Sequence, residues 1–145
     1  MRLRILAVLT AALFGVPGVA AASLDSFLSK LNVQAGVDLP GFSAKVSAQF
    51  GVPVPQVEAV IATVATPADA FMVFQLGQMA HRPPETVVQT YQTHQGKGWG
   101  VIAKALGIKP GSKEFHALKN GDLVFSGVPA EGGGKGKGKG KGRNK

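Results

Sequence analysis

The sequence predicts an all-α protein, a small bundle of short helices in helix-turn-helix-like units with a disordered C-terminal tail. Three observations carry that expectation. Apolar residues recur at helical spacing rather than alternating as they would in strands. Pro, Ser, Thr and Gly fall where helices start and stop. The last fourteen residues, 132–145, are Gly and cations apart from one Asn.

Residues 1–22 read as a secretory signal peptide. Arg2 and Arg4 form a positive head, residues 5–16 are uncharged and mainly apolar, and Ala20 and Ala22 fit the small-residue cleavage rule. An apolar run of twelve residues spans only about 18 Å as helix, against a hydrocarbon core of ~30 Å, so a permanent anchor is not expected. The chain thus divides into a signal (1–22), a helical domain (23–131) and a Gly/Lys-rich tail (132–145).

In the domain, Ser23 is placed to cap a helix over 24–31, where Leu24, Phe27, Leu28 and Leu31 share one face. Gly36, Pro40 and Gly41 leave 33–46 without a clear pattern; Ser43 can open a helix over 44–50, ended by Gly51. Pro55 suits the first turn of a helix to Thr63, with Val57, Val60, Ile61 and Val64 facing one way. Thr66-Pro67 is a cap followed by Pro at the first helical position, and Asp69 favours the dipole there. Phe71, Val73, Phe74, Leu76 and Met79 carry that helix to about Ala80. Pro84-Glu85 opens the next, which runs to about His94. Trp99 follows Gly96-Lys97-Gly98 and begins a helix stopped by Gly107. Ser112 caps a last helix over 113–119, stopped by Gly121.

A weak internal echo runs through the domain. Residues 50–58, 79–87 and 106–114 each join a helix end, a Pro-containing turn and a new helix, spaced 29 and 27 residues apart. The third resembles the start of a DNA-reading helix-turn-helix, with Ala103 and Gly107 at the required spacing. The second helix of that motif needs apolar residues where Lys113 and His116 stand. Phe115 and Leu118 arrive two residues late, because Lys109-Pro110-Gly111-Ser112 lengthens the turn. A helical hairpin with a long turn fits better, and sequence-specific DNA reading is not the expected role.

Residues 96–119, GKGWGVIAKALGIKPGSKEFHALK, resemble the signature block of a family of small exported bacterial proteins of uncharacterised function. The resemblance covers about Phe50 to Lys119. It implies a signal peptide, a helical body and a low-complexity tail, and it brings no activity, ligand or catalytic residue.

The remaining chemistry is sparse. The absence of Cys excludes disulfides, Cys-ligated zinc, iron–sulfur clusters and a Cys nucleophile. His81, His94 and His116 show no helical metal-pair spacing, so surface or capping roles are expected and no metal or cofactor is predicted. Glu58, Glu85 and Glu114 begin the three units, where dipole compensation suits them better than paired-carboxylate catalysis. No Gly-x-Ser-x-Gly or Walker loop and no Rossmann fingerprint occurs, because the Gly-rich stretches do not join strand to helix, and no catalytic residue is predicted. Trp99, with Lys97 and Lys104 nearby, is the candidate interaction site. For Trp99 itself the favoured reading is a core anchor, its indole N–H on a carbonyl and Gly98 and Gly100 admitting close backbone contact.

Charge supplies the main functional clue. The formal charge is +8, yet residues 23–131 hold eight basic and eight acidic residues, an exact balance. The excess sits in Arg2 and Arg4 and in the tail cations Lys135, Lys137, Lys139, Lys141, Arg143 and Lys145. Alternating Gly and charge cannot form a core; a chain of fourteen such residues averages about 20 Å end to end. The expectation is therefore an exported, periplasmic or secreted, non-enzymatic protein. Its tail associates with anionic polymers, membrane surfaces or nucleic acid. The alternatives are a protein-interaction module built on 96–119, or a cytosolic helix-turn-helix protein.

Overall fold

The computed structural model describes residues 23–126, which form seven helices and no strand. The expected signal peptide at 1–22 and the expected tail at 132–145 lie outside the described residues. The helices are α1 (Leu24–Val37), α2 (Leu39–Phe50), α3 (Val54–Thr63), α4 (Pro67–Ala80), α5 (Pro84–Thr93), α6 (Trp99–Ala105) and α7 (Lys113–Asn120).

The centre of the fold is α4. Ala68, Ala70, Phe71, Met72, Val73, Phe74, Leu76 and Gly77 are all buried, and Gln78 is the one exposed residue of the helix. A helix buried on nearly every side has to be jacketed; α1, α2, α3 and α5 supply the jacket. Phe71, fully buried, is the hub. Its ring lies 5.5 Å from Phe27 of α1, 5.5 Å from Phe50 of α2 and 5.8 Å from Phe125 beyond α7. The short pair α6 and α7 closes the bundle, α6 packing on α5 and α7 on α1.

Two boundaries differ from the sequence reading. Helix α1 runs on through Gly36 to Val37, because Ala35 continues the buried face of Leu31 one turn later. Helix α2 starts at Leu39, not after Ser43. Its cap is Asp38, whose Oδ1 accepts from the Gly41 N–H at 2.9 Å, with Pro40 in the first turn where its missing N–H costs nothing. Ser43 is buried in the interior of α2 instead. Glu58 also differs: it sits in the second turn of α3, so only Glu85 and Glu114 occupy first turns.

The three echoing turns share one geometry. Gly51, His81 and Gly107 each adopt positive φ, and the following N–H bonds five residues back: Val52 to Ser47, Arg82 to Gly77, Ile108 to Ala103. These are Schellman-type helix ends. The first two then pass through Pro53 and Pro83 as helix caps, while the third inserts the longer 109–112 turn. His81 is the one non-glycine with positive φ among the described residues.

After α7 the chain forms a short strap, 121–126, that the sequence reading did not foresee. Gly121 packs so tightly that a Cβ would lie 2.5 Å from the Ser23 carbonyl oxygen, bringing the two ends of the described chain together. Phe125 then packs against Phe42 in a tilted pair, ring centroids 5.1 Å apart. The Gln49 side chain donates to the Val124 carbonyl at 2.7 Å and accepts from the Ser126 N–H at 3.1 Å.

Two substitutions test these turns by thermal or denaturant unfolding. His81→Gly relieves the left-handed strain and raises stability by about 1 kcal/mol. Gly121→Ala meets both positive φ and the Ser23 backbone, and lowers it by roughly 1–3 kcal/mol. Equal stabilities for both variants and the parent would contradict the geometry.

Candidate functional site

The candidate residues of the 96–119 block separate into one core residue and two surface ones. Trp99, the first residue of α6, is only 8% exposed. Its indole stacks on Tyr91 with centroids 5.3 Å apart. The indole N–H donates to Asp69 Oδ1 at 3.3 Å, a carboxylate rather than the expected carbonyl. Neither neighbouring glycine is there for close contact: a Cβ on Gly98 would meet nothing, and one on Gly100 only Phe115 at 3.9 Å. What Gly98 supplies is positive φ at the α6 start.

Asp69 ties three helices together. Its other oxygen accepts from the Tyr91 hydroxyl at 3.3 Å, and that hydroxyl accepts from the Ala65 N–H at 3.2 Å. Nearby, Thr66 Oγ1 accepts from the Asp69 N–H, and Asn32 of α1 accepts from the Ala68 N–H at 2.9 Å. The start of α4, which carries an acid among apolar neighbours, is thereby satisfied from α1, α5 and α6. Burial is the main cause that lifts the Tyr91 hydroxyl above its ordinary value of 10.0; the Asp69 charge and hydrogen bond add to it, and the Ala65 N–H opposes it.

Lys97 and Lys104 are both exposed. Lys97 lies in the α5–α6 loop, its backbone N–H on the His94 carbonyl. The Lys104 ammonium stands 5.8 Å over the Phe115 ring. Phe115 and Leu118 are the buried residues of α7, whereas Lys113 and His116 face solvent, as the late spacing implied.

His94 Nδ1 lies 2.9 Å from the Thr90 carbonyl; a carbonyl can only accept, so this nitrogen carries the proton. His81 caps α4 and Glu85 belongs to α5, on separate elements. Among the described residues no group of three His, Asp or Glu could hold a metal ion.

The three turns lie side by side at one end of the bundle. A hollow of about 340 Å³ separates Phe50 and Val52 from His81 and Arg82. A second, of about 320 Å³, separates His81 from Gly107, Ile108 and Lys109. A third, of about 420 Å³, runs along α1, α2 and the strap between Val33, Val37, Phe42, Lys45 and Phe125. No single described helix is long and apolar enough to cross a membrane.

The tail cations Lys135, Lys137, Lys139, Lys141, Arg143 and Lys145 lie outside the described residues. What the structure does place is Ser126, the last described residue, beside α2. Sequence reasoning missed that strap because its signal is three apolar residues in succession, Leu123, Val124 and Phe125, without helical periodicity. Comparison with family models, curated proteins and solved structures gave no match.

The Asp69 node yields a signed pH expectation. The unfolded tyrosine ionises first, at about 10, so the stability held in neutral Tyr91 is complete below that pH and is lost as pH rises through the higher folded value. Tyr91→Phe lowers stability by about 1–2 kcal/mol near neutrality, and its alkaline decline is shallower than the parent's. Denaturant unfolding across the alkaline range checks this; parallel declines would refute it.

Proposed function

We propose that this is an exported, non-enzymatic helical protein whose Gly/Lys-rich C-terminal segment holds it to anionic polymers or surfaces of the cell envelope. The observation that carries the reading is the division of charge. The described body holds eight basic and seven acidic residues, whereas residues 132–145 hold six cations and no acid.

Three structural features support it. Phe125 and the Gln49 clamp fix the strap on α2, so the last described residues have a defined place. Among the described residues the last packed side chain is Phe125, ten residues ahead of Lys135 in the sequence. The α1 cap is Ser23, the residue that cleavage after Ala22 leaves first, which suits a domain that folds after export.

Contacts of this kind are delocalised and sensitive to salt. Six phosphate-like contacts give a slope of log K on log salt near −5. Deleting 132–145 abolishes retention on heparin while far-UV circular dichroism stays helical. Retention that survives the deletion would sink the proposal. N-terminal sequencing of the fractionated protein is expected to begin at Ser23.

A further inference from the structure

We propose that the α1–α2–strap groove is a docking face for an anionic lipid bilayer, with its valines entering the headgroup region while the tail cations hold the surface. The inference rests on the reading of the tail above and narrows its partner from anionic matter in general to lipid.

The groove exposes what a folded body normally covers. Val37 is 84% exposed and Val33 66%, one turn apart on α1. They border the same hollow as Phe42 and Phe125. Leu39, 43% exposed, follows directly at the start of α2. A sugar polymer or a phosphodiester backbone offers no hydrocarbon to these side chains, whereas a bilayer interface does. The one acid here, Asp38, has its carboxylate on the Gly41 N–H as the α2 cap, and Lys45 stands over Phe125 at the groove wall.

The cations follow this groove in the sequence. Phe125 forms part of its wall, and the described chain ends one residue later at Ser126. Lys135 is nine residues further on, at most about 30 Å even when fully extended. Apolar contact and six positive charges therefore reach one surface together. Either signal alone gives weak, reversible membrane binding, and stable anchoring needs two.

The test uses the purified protein with vesicles of phosphatidylcholine alone and of an equimolar mixture with phosphatidylglycerol, alongside a heparin column. Val33→Ser with Val37→Ser reduces partitioning onto the mixed vesicles by about tenfold or more, and leaves the salt needed to elute from heparin unchanged. Val33→Ala with Val37→Ala, which favours helix, gives a smaller loss in the same direction. Thermal unfolding confirms that both variants stay folded. Deleting 132–145 removes heparin and vesicle binding together. Equal partitioning of the serine variant and the parent overturns the lipid inference; if the tail deletion still abolishes heparin retention, the charge reading stands without it. A parent that runs as a dimer, with the serine variant monomeric, also overturns it, because the valines then cover one another.

Discussion

The constraint on which the rest of this structure depends is the burial of α4 on nearly every side. A helix with Phe71, Met72, Val73 and Phe74 in succession leaves only a narrow strip at Gln75 and Gln78 for water, so the other helices are arranged as a shell around it. Each fully buried side chain of this size contributes about 1.5–3 kcal/mol, and Phe71 joins α1, α2 and the strap through one ring. The short α6 and α7 carry too few apolar residues to stand alone; they attach at the rim of this shell.

Surrounding a helix with hydrocarbon creates a second requirement, because its ends still carry unpaired backbone groups. At the start of α4 these are met by Thr66 and by Asn32 from α1, and the Asp69 carboxylate takes both the Trp99 and Tyr91 donors. At its end the Arg82 N–H returns to Gly77, which forces His81 into a left-handed backbone. No buried side-chain polar atom among the described residues lacks a partner. The aromatic pair of Tyr91 and Trp99 is thus part of the same solution, and Trp99 belongs to the core rather than to an outer binding surface.

Much of the fold was legible because its helix signals are local. Thr66-Pro67, Pro84-Glu85 and Ser112 mark helix starts by backbone chemistry that needs no partner, and all three were found where expected. The α1–α2 junction was not legible for the opposite reason. Asp38 and Ser43 are both good caps, and only the burial of Phe42 and Val46 against the shell decides that the helix begins early enough to include Ser43. Gly36 disfavours helix by about 1 kcal/mol, yet α1 passes through it because Ala35 has a place in the core. At the candidate site, the sequence marked Trp99 as unusual and favoured its role as core anchor, which its burial bears out. It gave no sign that the anchoring partner would be Asp69, thirty residues earlier.

By itself, then, the sequence determined the all-α class, the number of helices and the separation of a balanced body from its cations, since periodicity, capping and charge are written residue by residue. The tertiary structure alone decided which helix lies at the centre, which carboxylate receives Trp99, and where residues 121–126 are held. Those outcomes depend on residues far apart in sequence meeting in space: Phe71 with Phe125, Gln49 with Val124, Gly121 with Ser23. No local pattern encodes such meetings; they follow from how the apolar faces must close around α4.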